Sequence, residues 1–418
     1  MSCVQTLVLL SLRSSIYLLS SRPTAFAQNC VKMWVASLLL CLASLGATRD
    51  IIFPPVSGID RTPGQAPLLL QSEDNDDDVD LTTDAVGGLT SFGHLPYVPC
   101  FAAKTDEDTG SYDIAVLGAP FDTATSYRPG ARFGPHGIRD GSRRIRGPHS
   151  WNVYSRQNSF EDWAKIVDCG DAPLTFVDNT VALKQLVKAY KITSGRTANN
   201  ASIAKTPRVL MLGGDHTVTL AALRSTINHW GIVNVIHFDS HIDTWNPRVL
   251  GGGVTDYASV NHGTFLHIAH EEGLISNDSS IHAGIRAPLG TRDRDLNNDV
   301  QCGFEIVTAR DIDELGPKGV IKKLKDRVGE GNVYITVDID VLDPAFAPAT
   351  GTAEPGGWTT RELLTILDGL VGMNIIGADV VEVAPVYDNN GETTCLAAAE
   401  VARSLIGLMV AKPVVPIR

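Results

Sequence analysis

The sequence alternates short apolar runs with longer stretches of helical character, and this alternation limits the folds that the chain can adopt. Six runs rich in β-branched and apolar residues are predicted to be strands, at residues 113–117, 208–212, 233–237, 281–285, 333–337 and 375–383. Helical stretches fall between them, including residues 179–190, 217–230 and 359–371. Strands that alternate with helices form a mostly parallel sheet covered on both faces. We therefore predict a single α/β domain with three layers, α/β/α.

The charge of the chain bears on its partners. Its 418 residues include 35 Lys and Arg against 47 Asp and Glu, which gives a formal net charge of -12. An acidic surface repels nucleic acid and attracts cationic small molecules or metal ions. We therefore expect no nucleic-acid partner.

The first 93 residues differ in composition from the rest of the chain. Two apolar runs, residues 4–19 and 34–45, resemble the hydrophobic parts of signal peptides and are too short for a stable membrane span. An acidic stretch rich in Pro, Gly and Ser follows them. We predict a signal or targeting segment at 1–48, an acidic flexible linker at 49–93 and a folded domain at 94–418. The expected location is the secretory pathway or outside the cell, with a mitochondrial transit peptide as the alternative.

Seven cysteines are present, and no two of them form a CxxC pair, which excludes a zinc ribbon or a thioredoxin-like motif. They are Cys3, Cys30, Cys41, Cys100, Cys169, Cys302 and Cys395. The last four are either buried thiols or, in an exported chain, members of one or two disulfides. Export would also allow glycosylation at the sequons that begin at Asn200 and Asn277.

Three of the predicted strands end in side chains that can bind metal ions. The runs "VLMLGGDHT", "VNVIHFDSHID" and "VYITVDIDVLDP" each pass from apolar residues into Asp and His. Ligand sites of open α/β sheets lie beyond the carboxyl ends of the strands, so these side chains are expected to converge. The predicted metal ligands are His216, Asp239, His241, Asp243, Asp338 and Asp340.

Four carboxylates at the ends of buried strands require compensating positive charge. Two divalent ions would cancel the four negative charges, and the two histidines would each supply a nitrogen. Such a ligand set suits Mn²⁺, because Mg²⁺ keeps more water and Zn²⁺ takes more His or Cys. The predicted cofactor is two Mn²⁺ per subunit. Ions roughly 3.5 to 4 Å apart can share a water and hold it as hydroxide near neutral pH, so the predicted chemistry is hydrolysis.

At these residues the sequence also resembles a known family. "GGDHT", "DSHIDTW" and "VDIDVLDPAFAPATGTAEPGG" are similar to the signature motifs of the ureohydrolases, binuclear manganese enzymes that include arginase and agmatinase. "GAPFDTATSYRPGARFGPHGIR" and "ADVVEVAPVYD" resemble the agmatinase branch in particular. The resemblance implies an arginase-like fold, makes residues 94–418 the catalytic domain and suggests a homo-oligomer, either a trimer or a hexamer.

The resemblance also divides the metal ligands between two ions. By similarity, the ligands of one ion, or ligands shared with the second, are His216, Asp239, Asp243 and Asp340. The shell of the other ion is completed by His241 and Asp338.

The resemblance adds two residues that spacing alone does not identify. His262 matches a histidine that shuttles protons, and Glu382 matches a carboxylate that pairs with the substrate guanidinium, a role for which Glu354 is a competitor. An internal salt bridge is the alternative explanation of an acid in a buried strand. In the predicted reaction Asp243 orients the hydroxide, Glu382 holds the guanidinium and His262 delivers a proton to the departing amine.

Substrate choice is assigned to the loop at 244–261, which is rich in Gly and other turn formers. It differs from the shorter loop of arginase, and this difference argues against arginine as the substrate. A small cationic guanidino substrate such as agmatine would suit Asp256, whereas guanidinobutyrate, which ends in a carboxylate, would suit Arg248. Both side chains could instead be solvated loop charges. We predict that agmatine is cleaved to putrescine and urea, with guanidinobutyrate as the alternative.

Two other classes of protein remain open from the sequence. A zinc deacetylase of related fold would need one metal ion and would not use all six ligands. A binding protein without activity would be expected to lack at least one ligand, and the sequence has all six.

Overall fold

The structure is a computed structural model, and it describes residues 89–102 and 110–416. The predicted targeting segment at 1–48 and most of the predicted linker at 49–93 lie outside the described residues.

Eight strands form one sheet in which every neighbouring pair is parallel. They are β1 (Ile114–Gly118), β2 (Ile166–Asp171), β3 (Arg208–Leu212), β4 (Asn234–Phe238), β5 (Ser280–Ile285), β6 (Phe304–Thr308), β7 (Asn332–Asp338) and β8 (Asn374–Val381). Their order across the sheet is β2-β1-β3-β8-β7-β4-β5-β6. The six predicted strands are all present, with bounds that shift by at most two residues.

Eight α-helices accompany the sheet in the described part of the chain. They are α1 (Gly134–Gly141), α2 (Asn179–Ser194), α3 (Val218–Trp230), α4 (Phe265–Glu271), α5 (Arg292–Gln301), α6 (Asp311–Val328), α7 (Thr360–Gly369) and α8 (Thr393–Ala411). The three predicted helices correspond to α2, α3 and α7. Helix α7 begins at a capping box, in which the Thr359 side chain accepts from the Glu362 N–H and the Glu362 side chain accepts from the Thr359 N–H.

The helices cover both faces of the sheet and bury a core on each side. Alternate residues of a strand point to opposite faces, so Leu210 packs on one side and Met211 on the other. The core that contains Leu210 includes residues of α1, α6, α7 and α8, whereas the core that contains Met211 includes residues of α2, α3 and α4. The prediction of a three-layer α/β/α domain is confirmed.

The two strands that the sequence did not reveal, β2 and β6, lie at the two edges of the sheet. An edge strand need not be apolar on both faces, and β6 has exposed residues within it. Asp168 and Asp171 interrupt the apolar residues of β2, so the sequence shows no apolar run there. Arg139 compensates them, donating from Nε to Asp168 at 2.8 Å and from a terminal nitrogen to Asp171 at 2.6 Å.

The four cysteines of the described residues divide between the two predicted states. Cys100 and Cys169 form a disulfide that ties the segment before β1 to β2, while Cys302 and Cys395 are buried thiols. Among the described helices, α8 is long and apolar enough to cross a membrane, and most of it is buried within the core.

Candidate metal centre and substrate pocket

The candidate ligands converge because β3, β4 and β7 end at the same edge of the sheet. After β3 the chain turns through Gly213 and Gly214 before it reaches His216. A Cβ atom on Gly214 would lie 1.8 Å from the carbonyl oxygen of Phe121, so only glycine allows this close approach. Asp215 fixes the turn, since its carboxylate accepts hydrogen bonds from two backbone N–H groups. Burial and the charge of nearby Glu382 raise the pKa of Asp215 to about 7.

Four buried side chains form what we call the inner group: His216, Asp239, Asp243 and Asp338. His216 Nδ1 lies 3.0 Å from an oxygen of Asp239, 3.1 Å from one of Asp243 and 3.4 Å from one of Asp338. The other ring nitrogen lies 2.7 Å from the Thr336 hydroxyl. We assign the ring proton to that hydrogen bond, which leaves the Nδ1 lone pair pointing at the three carboxylates.

Three side chains form what we call the outer group: Asp239, His241 and Asp340. His241 Nδ1 lies 3.3 Å from Asp239 Oδ1 and 3.1 Å from Asp340 Oδ2. Asp239 is shared, because its other oxygen, Oδ2, faces the inner group. The His241 side chain is 16% exposed, whereas that of His216 is 1% exposed.

The division of carboxylates differs from the prediction. The resemblance grouped Asp340 with His216 and Asp338 with His241, and the structure places Asp338 beside His216 and Asp340 beside His241. The cause is a short 3-10 turn, Ile339–Val341, which follows β7. It moves Asp340 out of line with the strand and brings it to Ser240, whose hydroxyl donates to Asp340 at 2.8 Å.

The buried polar atoms of the two groups fit a pair of cations. His216 Nδ1 and Asp239 Oδ2 are 3.0 Å apart, yet neither has a hydrogen-bond partner. Leaving such atoms buried without a partner costs about 2 to 7 kcal/mol each. Burial raises the pKa of Asp338, and the charges of Asp340 and Asp239 raise it further. A cation between these atoms would give the unpaired nitrogen and oxygen a partner and would stabilise the ionised form of Asp338. The carboxylate and imidazole donors suit a two-metal site.

Two of the site residues have an unusual backbone. Asp243 has φ 51° and Glu382 has φ 61°, and both are non-glycine residues in the left-handed region. Such conformations cost about 1 to 3 kcal/mol each and persist where the surrounding structure holds them, often at functional sites. The turn at each position directs a carboxylate toward the cluster.

His262 and Glu382 form a buried pair next to the inner group. His262 Nδ1 lies 3.0 Å from Glu382 Oε1, which also accepts the backbone N–H of His216 at 2.9 Å. Burial alone would lower the pKa of His262, but the hydrogen bond and charge of Glu382 raise it to about 9. The backbone N–H of Ser126 donates to His262 Nε2 at 3.0 Å, and this bond opposes a second proton on the ring.

Glu354 has a different position from Glu382. Its carboxylate lies 3.8 Å from His241 Nε2 and is 31% exposed. The structure therefore brings Glu382, and not Glu354, to His262. The second oxygen of Glu382, Oε2, is buried and has no hydrogen-bond partner.

A cavity of about 230 Å³ opens onto the site. His241, Asp243 and His262 line it, together with Trp245 and Arg294. The loop at 244–261 contributes Trp245 and two apolar side chains, as a substrate-facing loop would.

The two loop charges predicted to bind substrate do not line this cavity. Arg248 is absent from its wall, and Asp256 lines a separate cavity beside Tyr257. The apolar residues that follow Arg248 in the chain, Val249 and Leu250, face the cavity instead.

Several residues at the site were not identified from the sequence. His237 is buried on β4, with Nε2 3.0 Å from Asp239 Oδ2. The sequence held a signal for it, since residues two apart on a strand share a face. Ser126 lies within the agmatinase-like segment 118–139, but no spacing rule distinguishes it there, and Arg294 comes from α5, which none of the metal motifs adjoins.

A parallel sheet with a buried His/Asp cluster at its strand ends, beside a cavity, fits the class of hydrolases that use bound metal ions. The arginase family model matches residues 112–407. A Schizosaccharomyces pombe protein named "Putative agmatinase 1" is 53% identical over 335 residues, which cover 78% of this chain and 84% of that protein. Agmatinase of Escherichia coli O7:K1 is 38% identical over 304 residues, 72% of this chain and 88% of that enzyme.

Solved structures agree with the sequence relatives. Proclavaminate amidino hydrolase from Streptomyces clavuligerus has a TM-score of 0.68 at 34% identity and covers 79% of this chain and 99% of its own. The chain belongs to the arginase family. The predictions of an arginase-like fold and of a ureohydrolase are confirmed.

Proposed function

We propose that the protein hydrolyses a linear guanidino compound to urea and a primary amine. The observation that carries this proposal is the free carboxylate oxygen of Glu382, which is buried beside the metal cluster. A buried anionic acceptor next to a hydrolytic centre suits a planar cation with several N–H donors, and a guanidinium is such a cation.

We propose Mn²⁺ for both ions of the cluster. The inner group offers three carboxylates and one imidazole, and the outer group offers two carboxylates and one imidazole. Carboxylate-rich sites of this kind favour Mn²⁺ over Zn²⁺. Bound ions would supply a water activated for attack near neutral pH.

Glu382 would hold the substrate through the oxygen that has no partner in the fold. Its other oxygen is committed to His262 and to the backbone of His216, so the carboxylate cannot rotate freely. The ion pair would form in a buried space, where charge-assisted hydrogen bonds are stronger than in water. It would fix the guanidinium carbon beside the cluster.

His262 would act as the proton donor of the reaction. Water adds to the guanidinium carbon, the bond from that carbon to the substituted nitrogen breaks, and this nitrogen takes a proton as it leaves. His262 lines the cavity, and Glu382 and Ser126 hold its two ring nitrogens. The ring is therefore oriented before the substrate arrives.

We propose agmatine as the substrate, with putrescine and urea as products. The Schizosaccharomyces pombe and Escherichia coli relatives both carry agmatinase in their names. The apolar part of the cavity wall, which includes Trp245 and Leu250, would pack against the aliphatic chain of the substrate.

A guanidino acid such as guanidinobutyrate is a second candidate, and Arg294 favours it. Among the described residues that line the cavity, the acids are the metal ligands Asp243 and Asp338, and Arg294 is the cation beyond the cluster. Its side chain is 49% exposed and its Nε donates to Asp295 at 2.9 Å, which leaves the terminal nitrogens for a substrate carboxylate.

The test is urea release by the Mn²⁺-loaded protein from agmatine, guanidinobutyrate and arginine. The first proposal predicts the highest kcat/KM for agmatine, in both the natural protein and an Arg294→Met variant. If guanidinobutyrate is the substrate, it gives the highest value, and Arg294→Met lowers that value while the value for agmatine rises. Absence of urea from every guanidino compound, with one zinc ion bound per chain, would support a deacetylase instead.

We also propose that the chain enters the secretory pathway. The disulfide between Cys100 and Cys169 supports this, because disulfides persist in oxidising compartments. Mass spectrometry of the mature N-terminus tests it, and a chain that begins at Met1 would contradict it. A trimer or hexamer stays a prediction of the family resemblance, and light scattering of the purified protein would measure it.

A further inference from the structure

The cavity beside the metal cluster offers no free carboxylate to the far end of the proposed substrate. Agmatine carries a guanidinium at one end and an ammonium at the other. Asp256, which the sequence suggested for the ammonium, lines a different cavity. Among the described residues that line the substrate cavity, the acids are the metal ligands Asp243 and Asp338. The ammonium is therefore expected to bind to a group of another kind.

Trp245 contributes a half-buried indole ring to the cavity wall, and its neighbours fix the position of that ring. The backbone N–H of Trp245 donates to the carbonyl oxygen of Gly263 at 3.1 Å. The ring lies close to the same glycine, because a Cβ atom on Gly263 would be 3.1 Å from Trp245 Cε3 and 2.5 Å from Leu250 Cδ2. A side chain at position 263 would displace the indole, so the glycine allows the ring to lie where it does.

The indole lies within reach of a substrate whose guanidinium is held at the cluster. Its ring centroid is 6.4 Å from that of His241, and both rings line the cavity. The four-carbon chain of agmatine can span the space between the cluster and the indole. Val249 and Leu250 line the same cavity and would pack against the methylene groups of that chain.

An indole face can bind an ammonium ion without a carboxylate. The π electrons give the face a negative potential, which attracts a cation within about 6 Å of the ring centroid, and tryptophan is the best aromatic side chain for this contact. Arg294 also lines the cavity and would repel a second cation. Its charge is screened, however, because its side chain is 49% exposed and its Nε donates to Asp295 at 2.9 Å.

We propose that Trp245 determines specificity for the far end of the substrate, because its indole face binds the ammonium group of agmatine through a cation–π interaction. Gly263 is a positioning residue, since its lack of a side chain leaves room for the indole. The inference rests on the proposed function, because it assumes that the cavity binds a guanidino substrate for hydrolysis. A neutral ring, and not a charged side chain of the loop at 244–261, then selects the cationic substrate.

The test compares agmatine with n-pentylguanidine, in which a methyl group takes the place of the ammonium, in urea release by the Mn²⁺-loaded full-length protein. Trp245→Leu keeps an apolar wall and removes the π face. We expect kcat/KM for agmatine to fall about 5- to 30-fold and that for n-pentylguanidine to stay within about twofold. Trp245→Phe should retain part of the preference for agmatine. The matched control Trp151→Leu, at an exposed position outside the cavity, should leave both values unchanged. An equal change for both substrates in Trp245→Leu would overturn the proposal.

A second measurement changes the electronic character of the ring and almost preserves its shape. Fluorine atoms on the indole withdraw electrons and weaken the negative potential of its face. The tryptophans are replaced during biosynthesis by analogues with increasing numbers of fluorine atoms. We expect KM for agmatine to rise stepwise, KM for n-pentylguanidine to stay constant, and the stepwise rise to be absent from Trp245→Phe. A KM for agmatine that is independent of fluorination would overturn the proposal, even if Trp245→Leu does not fold.

The two proposals fail in different ways. If no guanidino compound releases urea, the proposed function fails, and the role of Trp245 fails with it. If agmatine and n-pentylguanidine both release urea, but Trp245→Leu affects them equally, the function stands and the role of Trp245 fails. A higher kcat/KM for guanidinobutyrate than for agmatine would also overturn the role of Trp245, while hydrolysis of a guanidino compound stands.

Discussion

The inner and outer groups of the metal cluster share Asp239 but differ in enclosure. The inner group has three carboxylates around a histidine that is 1% exposed, and Thr336 fixes the tautomer of that histidine. The outer group has two carboxylates around His241, which is 16% exposed and lines the substrate cavity. We infer from the comparison that the inner position would retain an ion and that the outer position would present one to the substrate.

Charge supports the same conclusion. Three carboxylates attract a divalent cation more strongly than two, and the attraction is less screened where water is excluded. The inner position should therefore bind its ion more tightly than the outer position, although both use the same shared carboxylate.

Replacing the shared ligand should have the largest effect. In Asp239→Asn one carboxylate oxygen becomes a poor ligand for the inner ion and the other oxygen position no longer carries charge for the outer ion. We expect loss of both ions and urea release at background, measured as metal per chain after gel filtration. Asn has nearly the same shape as Asp, so circular dichroism should stay unchanged. A variant that retains one tightly bound ion would disprove equal sharing.

Removing each histidine should separate the two positions. We expect His216→Ala to lose metal and activity together, because the substitution removes a ligand of the more tightly bound inner ion. His241→Ala should retain one ion per chain, because the inner group keeps all its own ligands. Metal content by mass spectrometry makes the comparison, and equal metal content in the two variants would remove the distinction between inner and outer groups.

His262→Ala should retain both ions and lose turnover. The His262 ring forms hydrogen bonds with Glu382 and Ser126, neither of which belongs to the inner or the outer group. Loss of a general acid typically lowers kcat by about 10² to 10⁴-fold. Paired measurement of metal content and kcat tests this. Metal loss equal to that of His216→Ala would refute the assignment of roles.

The smallest expected effect is a shift in the pKa of His262 when Glu382 is replaced. Glu382 raises the pKa of His262 to about 9, so the ring holds its second proton below that pH and loses it as the pH rises through 9. In Glu382→Gln the charge is gone, while the Ser126 N–H still favours the neutral ring. We expect the pKa of His262 to fall; activity is not the readout, because the variant also loses the carboxylate that would hold the substrate. NMR titration of the labelled ring measures the shift directly, and an unchanged midpoint would exclude Glu382 as its cause.

Strand geometry explains why the candidate ligands could be grouped from the sequence. Residues two apart share a face, and parallel strands end at one edge, so six side chains on three strands had to meet. The exchange of Asp338 and Asp340 was not predictable from that rule, since a 3-10 turn after β7 interrupts the strand between them. A turn of this kind depends on packing and not on the spacing of the motif.

The substrate pocket was less predictable than the cluster. The loop at 244–261 contributes Trp245, Val249 and Leu250 to the cavity wall, but its charged side chains Arg248 and Asp256 do not line it. Arg294 approaches from α5, and nothing local in the sequence relates that helix to the metal motifs. Edge strands β2 and β6 escaped prediction for a related reason, because polar side chains on an edge are compensated by distant residues such as Arg139.

Titration of the metal-free, full-length protein with Mn²⁺, followed by calorimetry and urea release in parallel, tests the central claim most directly. The account predicts two ions per chain, the first bound more tightly than the second, with urea released only as the second position fills. Binding of a single ion, or full activity when one ion per chain is bound, would contradict it.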